Sequence, residues 1–419
     1  MGLPVGVSTL FRSGTRAARD RWADASVTVR LVVLAALAAV SGVVLWRILA
    51  GHELIDLQVY RFGVDAWRAG SDPYGPMPKT SVGVALPYLY PPPSLLIIAP
   101  LALVPLGAAK ALMTGLSVLA LAATAYVVIS RCWPRATTWQ VVGVTALVLP
   151  VALVLEPVRE TLTFGQINLW LMALVAVDCL ARRPRWPRGL LVGIAFALKL
   201  TPAAFILFFL LRRDYRAALT TVLSGAVFVA LGFLFAWKDS VAYWLSGAGP
   251  TDGVSGTPYG TNQTILAALK RLVIPETAQT VGWIALVGVT VFVAVLLMVR
   301  LDAPTALVVN AALALLISPT AWSHHWVFIV PALLVFAFHA VHQRLSVVLG
   351  LGYLVVFLIG PHLHLPRGSD TELAWKWYEH IIGDSYVLLA LIALGVTMWK
   401  VRDRKPRTDR EMARAPEFA

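Results

Sequence analysis

Two carboxylates, Glu53 and Asp56, follow the first long apolar segment of the chain and are the first residues that could perform chemistry. A carboxylate beside a membrane segment is costly wherever water is scarce, so such a residue usually has a function. It can act as the general base that takes a proton from a hydroxyl group. Glu53 could instead be a solvated loop charge. Asp56 could instead begin a helix over 57–69, because aspartate favours helix N-caps.

A lysine and a histidine pair could supply the other groups that such chemistry needs. Lys199 interrupts an apolar run in the sequence Lys-Leu-Thr-Pro, and His324 and His325 are adjacent in the chain. Groups of this kind stabilise a phosphate leaving group where little water screens them. Lys199 could otherwise extend from a helix end toward water. Neighbouring side chains on a helix point about 100° apart, so we expect only one of the two histidines to face a site.

The composition places these residues in a membrane protein. Of 419 residues, 58% are hydrophobic and only 14% are charged, and the mean hydropathy is +0.76. Such a chain satisfies its backbone in lipid only as helices or a closed barrel, and its long apolar runs do not alternate, so we predict an all-α polytopic protein. The net charge of +13 comes largely from arginines between the apolar runs. This pattern is typical of cytosolic loops, and we expect no nucleic acid as a partner.

The arginine clusters predict the topology of a single integral membrane domain over residues 1–419. A basic arm over 1–29 and a basic tail over 401–419 are expected in the cytosol, and the protein is expected in the plasma membrane. The ten predicted spans are 30–49, 107–131, 138–156, 166–181, 215–237, 277–299, 304–320, 325–342, 345–360 and 384–400. A short interfacial helix is predicted over 262–275, with Lys270 and Arg271 on its polar side.

One apolar segment, 189–211, does not fit a single crossing. It has arginine clusters on both sides, and Pro202 disfavours helix at the residue before it. We therefore predict two half-helices of about 10 residues, each about 15 Å long, that form a re-entrant hairpin. Non-helical backbone at this depth is tolerated only inside protein or beside a polar cavity. Lys199, at the tip, is thus predicted to line a cavity.

This topology brings the unusual polar residues to the outer face of the membrane. The cytosolic loops are short and carry little beyond arginine. The chain has no Gly-rich loop for a nucleotide phosphate, and its histidines lack a carboxylate at a metal-ligand spacing, so we expect no cofactor and no bound metal. A transferase that faces outward needs a donor that crosses the membrane as a lipid. A carboxylate, a lysine and a histidine pair suit a sugar carried on a lipid phosphate.

Six short motifs lie in the loops that this topology brings together. They are Asp-x-x-Val-Tyr (Asp56 to Tyr60), Tyr-Pro-Pro (Tyr90 to Pro92), Gly-Gln-Ile-Asn (Gly165 to Asn168), Lys-Leu-Thr-Pro (Lys199 to Pro202), Asn-Gln (Asn262 and Gln263) and Ser-Pro-x-x-Trp-x-His-His (Ser318 to His325). Jointly they resemble glycosyltransferase family 87, over residues 50 to 330. Members of that family are polyprenyl-phosphate-mannose-dependent mannosyltransferases of the GT-C fold, and those that elongate phosphatidylinositol mannosides resemble this chain most.

The resemblance implies a reaction and roles for individual residues. Mannose would pass with inversion from polyprenyl-phosphate-mannose to a mannosyl glycolipid, such as a phosphatidylinositol tetramannoside, at the outer face of the plasma membrane, giving an α-1,2 linkage. Asp56 would be the catalytic base, and Lys199, His324 and His325 would hold the donor phosphate. The candidates for substrate binding are Tyr60, Tyr90, Arg159, Glu160, Gln166, Asn168, Asn262 and Gln263.

Several alternatives stay open at this point. Tyr90 could only shape the chain before the second span, and Arg159 and Glu160 could simply pair with other loop residues. A related enzyme could transfer arabinose, or could branch lipomannan or lipoarabinomannan. A lipid transporter or flippase is the alternative from another class, although the chain shows no inverted repeat and its polar residues are one-sided.

Overall fold

Helices form the regular structure of the part of the chain that the structure describes. The structure is a computed structural model, and it describes residues 21–22, 24–245, 256–340 and 344–403. The helices are α1 Val27–Leu49, α2 Ile55–Arg68, α3 Pro93–Ala102, α4 Leu106–Cys132, α5 Thr138–Val154, α6 Glu156–Phe164, α7 Asn168–Leu180, α8 Leu190–Leu198, α9 Ile206–Leu211, α10 Tyr215–Phe235, α11 Trp237–Leu245, α12 Ile265–Arg271, α13 Glu276–Met298, α14 Ala303–Ile317, α15 Ile329–Ala340, α16 Arg344–Ile359, α17 Trp377–Gly383 and α18 Ser385–Val401. Short 3₁₀ segments are Thr201–Phe205, Ser323–Phe328, Pro361–His364 and Thr371–Ala374.

Within the residues that the structure describes, five helical segments are long and apolar enough to cross a membrane. They are α1, α4, α10, α13 and the segment Ser346–His364, and two bent helix pairs raise the number to seven if each pair is one span. The protein is therefore an all-α, multi-span membrane protein. Predicted spans 166–181 and 304–320 correspond to α7 and α14, of 13 and 15 residues. At a rise of 1.5 Å per residue these are only about 20 Å and 23 Å long, so the count of ten crossings stays a prediction.

Predicted span 138–156 ends in a bend that hydropathy does not indicate. Helix α5 stops at Val154, Leu155 is extended, and α6 leaves at 75°. Pro157 lies in the first turn of α6, where its missing N–H needs no partner, whereas in a continuous helix it would remove a hydrogen bond and clash. The bend places Glu156 at the junction of the two helices.

The segment 189–211 enters and leaves on one side of the bundle. Helix α8 ends at Lys199, which is extended (φ −157°, ψ 140°), and the 3₁₀ segment and α9 follow. At the base, Arg188 Nε lies 3.8 Å from Asp214 Oδ2, and Thr221 Oγ donates to the carbonyl of Gly189 at 3.1 Å. Since the residues before α8 and after α9 meet there, Lys199 lies at the far tip.

The base of this hairpin is fixed to the end of α7. Oδ2 of buried Asp178 accepts hydrogen bonds from the backbone N–H groups of Gly189 and Val192, both at 3.0 Å. Arg188 in turn donates to the last carbonyls of α7, including that of Asp178 at 2.9 Å. The free N–H groups at the start of α8 and the free carbonyls at the end of α7 thereby both gain hydrogen-bond partners, as buried helix ends require.

One sequence-based expectation is wrong in this part of the fold. Arg271 was expected on the polar side of an interfacial helix, but it is fully buried at the end of α12. Its guanidinium pairs with Asp384 and donates to the carbonyls of Pro258 and Tyr259. A buried arginine is tolerated only when a charge and several acceptors meet its fixed set of donors, and the sequence pattern of α12 cannot show acceptors that lie far along the chain.

We expect Gly189→Ala to destabilise the protein by more than about 1 kcal/mol, because Gly189 has φ +97° and a Cβ there would lie 2.1 Å from the carbonyl oxygen of Ala217. The measurement is thermal unfolding in detergent. The matched control is Gly288→Ala in α13, where a Cβ meets nothing within 4 Å. Equal unfolding temperatures for the two variants would contradict this account of the hairpin base.

Candidate functional site

Asp56 lies in the first turn of α2, but it does not cap that helix. The N-cap is Leu54, in the left-handed region at φ 49°, without a side-chain cap. Gly165, between α6 and α7, packs against Leu54 and Leu57, and a Cβ there would lie 3.0 Å from both. This close contact brings Asp56 beside the Gly-Gln-Ile-Asn turn. The alternative role of Asp56 as an N-cap is therefore wrong.

A network of neutral groups orients Gln166 toward Asp56. The hydroxyls of Tyr60 and Tyr90 donate to Gln166 Oε1 at 2.9 and 2.8 Å, and they lie 2.7 Å from each other. An ionised carboxylate only accepts hydrogen bonds, so the Gln166 amide meets Asp56 with its nitrogen and the tyrosines with its oxygen. The other end of the Gln166 side chain hydrogen-bonds the Asp56 carboxyl. Tyr60 and Tyr90 are buried, so both act here at least as supports of Gln166.

The two candidate bases differ in their electrostatic environment. Burial raises the pKa of Asp56 to about 6, while the Gln166 hydrogen bond and the charge of Lys199 act in the opposite direction. The hydrogen bond and charge of Lys110, 2.8 Å away, lower the pKa of exposed Glu53. A general base works best with a pKa near the operating pH. Asp56 therefore fits this role better than Glu53.

Lys199 extends from the hairpin tip into a group of polar side chains. Its Nζ lies 3.1 Å from Asn168 Oδ1, 3.0 Å from His325 Nε2 and 5.6 Å from the centre of the Tyr90 ring. A protonated lysine only donates, so Nε2 of His325 accepts and the ring proton is on Nδ1. Within the described residues, the ammonium group forms no salt bridge with a carboxylate. It is thus a cation that an anionic ligand can pair with.

A cavity of about 470 Å³ adjoins these polar groups. Its polar lining residues are Asn168, Lys199, Thr201 and His325. The apolar side chains that line it are Leu171, Val175, Pro202, Phe205, Ala311, Ala314, Leu315, Val327 and Phe328. A cavity that is lined by one cation and mostly apolar side chains suits a ligand with an anionic head and a hydrocarbon chain.

The two histidines have different surroundings. His325 contacts Lys199, whereas the ring of buried His324 packs edge-on against Phe164 at 5.4 Å. The His324 carbonyl accepts hydrogen bonds from Thr161 at 2.9 Å and Asn168 at 3.1 Å. Both histidines lie in a 3₁₀ segment, in which successive side chains point about 120° apart. In this arrangement His325 is the one that lines the cavity.

The remaining predicted residues lie around this centre. Asn262 and Gln263 are fully buried, and their side chains bond backbone groups, among them Ala321 N for Asn262 and Gly383 O for Gln263. They hold the loop that carries the histidines, and contact with a substrate stays a prediction for them. Arg159 and Glu160 pair with each other at 3.4 Å on α6, both partly exposed. Among the described residues, no group of three or more His, Cys, Asp or Glu side chains could hold a metal ion.

Glu156 is a residue that sequence reasoning missed. Its buried carboxylate accepts hydrogen bonds from Ser323 and Tyr386, at 2.6 and 2.7 Å. The available signal was an acidic residue followed by proline inside an apolar segment, a combination that an ordinary span does not need.

A family model for glycosyltransferase family 87 matches residues 88–319, more than half of the chain. The chain belongs to glycosyltransferase family 87. It is 38% identical to the polyprenol-phosphate-mannose-dependent alpha-(1-2)-phosphatidylinositol mannoside mannosyltransferase of Mycobacterium tuberculosis, over 85% of this chain and 87% of the relative. The protein of the same name from Mycolicibacterium smegmatis is also 38% identical, over 84% and 85%.

Two further comparisons are more distant. A polyprenol-phosphate-mannose-dependent alpha-(1-2)-phosphatidylinositol pentamannoside mannosyltransferase of M. tuberculosis is 28% identical, over 87% of this chain and 86% of the relative. Among solved structures, that of ArnT from Cupriavidus metallidurans bound to undecaprenyl phosphate is similar with a TM-score of 0.41 and 13% identity. That similarity covers 90% of this chain and 80% of ArnT.

We expect the rate of glycosyl transfer to depend on the ionisation of Asp56. Because the pKa is raised to about 6, the base is protonated as the pH falls through 6 rather than through the usual value near 4. The value of kcat/KM for the acceptor should therefore fall about tenfold per pH unit below pH 6 and level off above it. A profile that stays flat to about pH 5 would contradict this assignment. Glu53→Gln should leave the profile unchanged, since Glu53 ionises at lower pH.

Proposed function

We propose that this protein transfers mannose from polyprenyl-phosphate-mannose to a phosphatidylinositol mannoside and forms an α-1,2 linkage. The observation that carries the proposal is that Asp56 contacts Gln166 while Lys199 contacts Asn168, two residues further along the same turn, and that Lys199 and Asn168 line a largely apolar cavity. This arrangement provides a base, a cation for phosphate and space for a lipid chain. The activities named for the two relatives at 38% identity use a lipid-phosphate donor, which needs the same three features.

The donor phosphate binds at the Lys199 ammonium group, beside His325, in this proposal. Lys199 supplies the charge, and Asn168 and His325 hold its ammonium group in place from two sides. The first isoprene units of the donor lie along the apolar walls of the cavity, and the mannose lies toward Asp56. His324 supports this arrangement through its backbone rather than its ring.

The reaction is a single displacement at the anomeric carbon. Asp56 takes the proton of the acceptor 2-hydroxyl as its oxygen attacks the anomeric carbon of the β-linked mannose. The bond from that carbon to the phosphate oxygen breaks, and the polyprenyl phosphate leaves with the electron pair. Lys199 stabilises the charge that develops on the phosphate, where burial makes the interaction strong. One displacement inverts the configuration and gives an α-mannoside.

The proposed architecture is a GT-C transferase with about ten crossings and one re-entrant hairpin. The base of the hairpin adjoins the Arg182–Arg188 cluster, which the positive-inside rule assigns to the cytosol. Lys199 and Asp56 lie at the other end of α8, so the proposed site faces the outside of the plasma membrane. The acceptor is a tetramannoside in this proposal, and a pentamannoside, named for the relative at 28% identity, is the alternative that an assay must include.

We expect membranes with this protein, polyprenyl-phosphate-mannose and a phosphatidylinositol tetramannoside to yield the pentamannoside. Asp56→Asn should lower kcat by about 10² to 10⁴-fold, because an amide cannot accept the proton, and should leave donor binding largely intact. Glu53→Gln is the matched control and should retain activity, because Glu53 pairs with Lys110 at the surface. Transfer by Asp56→Asn at the wild-type rate would refute the mechanism.

Lys199→Met should lower kcat/KM for the donor by about 10² to 10³-fold, because the phosphate loses its cation in a site with little water. Lys199→Arg should retain part of the activity, since it keeps the charge but has a different geometry. Lys110→Met is the control, because Lys110 pairs with Glu53 on the protein surface. Steady-state kinetics with varied donor concentration measure all three, and equal effects of Lys199→Met and Lys110→Met would exclude Lys199 as the phosphate ligand.

A further inference from the structure

A buried carboxylate bonds Ser323, the residue that precedes the histidine pair, and does not line the cavity. Glu156 is fully buried at the bend between α5 and α6. Its Oε1 accepts a hydrogen bond from Ser323 Oγ and lies 3.5 Å from His362 Nε2, and its Oε2 accepts one from Tyr386. One carboxylate thus joins four segments that are far apart in the sequence. A buried charge with this number of partners is costly to form and more costly to break.

The surrounding structure makes room for Glu156. Gly360, at φ +62°, lies against it, and a Cβ at that position would be 2.9 Å from Glu156 Cγ. The Tyr386 ring also packs edge-on against His362, with centroids 5.0 Å apart. The carboxylate is therefore enclosed by protein groups, of which Ser323 and Tyr386 donate hydrogen bonds to it.

The partner Ser323 starts the 3₁₀ turn that carries both histidines. The segment bends at Trp326 (φ −77°, ψ 25°), and its first residue, Ser323, donates to Glu156. Trp326 packs against Tyr386, with centroids 5.9 Å apart, next to the Glu156 carboxylate. Ser323 and Trp326 are thus both held by the cluster of Glu156 and Tyr386. His325, which lies between them in the sequence, contacts Lys199 at 3.0 Å.

We infer that Glu156 is a positioning residue: it fixes the rotation of the 323–328 turn, through Ser323 and Tyr386, so that His325 meets Lys199. This inference rests on the proposed function, because His325 and Lys199 bind the donor phosphate there. Glu156 does not touch the substrate. Its loss lets the turn rotate, so that His325 no longer holds the ammonium group of Lys199.

The test is a double-mutant cycle between Ser323 and His325 in the mannose-transfer assay. Ser323→Ala removes one hydrogen bond to Glu156, and we expect it to lower kcat/KM for the donor about tenfold while KM for the acceptor stays unchanged. His325→Ala should lower the same value by more. The double variant should equal His325→Ala alone, because Ser323 acts through His325. Ser323→Thr keeps the hydroxyl and should restore activity to within about threefold of wild type.

Independent effects would overturn the inference. If Ser323→Ala lowers activity further in the His325→Ala background, or raises KM for the acceptor in proportion, Glu156 does not act through His325. Glu156→Gln should also lower kcat/KM for the donor without changing KM for the acceptor. If Glu156→Gln does not fold, Ser323→Ala still tests the inference. Thr290→Ala, which removes a buried hydroxyl bonded only within α13, is the control for a general loss of packing. If the wild-type protein transfers no mannose, the proposed function fails instead.

Discussion

The free-energy cost of partly burying one ammonium group, that of Lys199, constrains much of the structure around it. The lysine is at a break in an apolar segment, where backbone groups also need partners. Its backbone N–H still bonds Ala195, and its side chain is met by Asn168 and His325. These partners come from the start of α7 and from the 3₁₀ turn after α14. The tip of the hairpin, the start of α7 and the 3₁₀ turn after α14 must therefore meet at one place.

Most of the polar side chains near Asp56 and Lys199 form hydrogen bonds with other protein groups rather than pointing into the cavity. Tyr60 and Tyr90 hold Gln166, Thr161 and Asn168 hold the backbone of His324, and Asn262 holds the loop before it. A site that stabilises charge gains most when its groups are fixed before the reaction, since reorganisation then costs little. The hydrogen bonds around Asp56 and Lys199 fix the neighbouring side chains and backbone in this way.

Hydropathy predicted several long helices to within a few residues. Spans 277–299 and 345–360 correspond to α13 and α16, and the break at Lys199 is where the sequence Lys-Leu-Thr-Pro placed it. It did not predict the 75° bend at Leu155, the short length of α7 or the burial of Arg271. Hydropathy averages over about a turn or more of helix and carries no information on direction, so a bend inside an apolar run is invisible to it.

The sequence by itself determined the class of protein, the break in the hairpin and the kinds of residue available for catalysis, because these follow from local composition and backbone preference. The family resemblance had already favoured Asp56, but only the tertiary structure gives a physical reason to prefer it to Glu53 as a base and shows that His325, rather than His324, contacts Lys199. It also showed that Glu156 bonds the turn that carries the histidines. In each case the deciding partner is distant in the chain: Lys110 for Glu53, Gln166 for Asp56, Lys199 for His325 and Ser323 for Glu156. Burial and hydrogen-bond partners set the chemistry of a side chain, and neither is a local property of sequence.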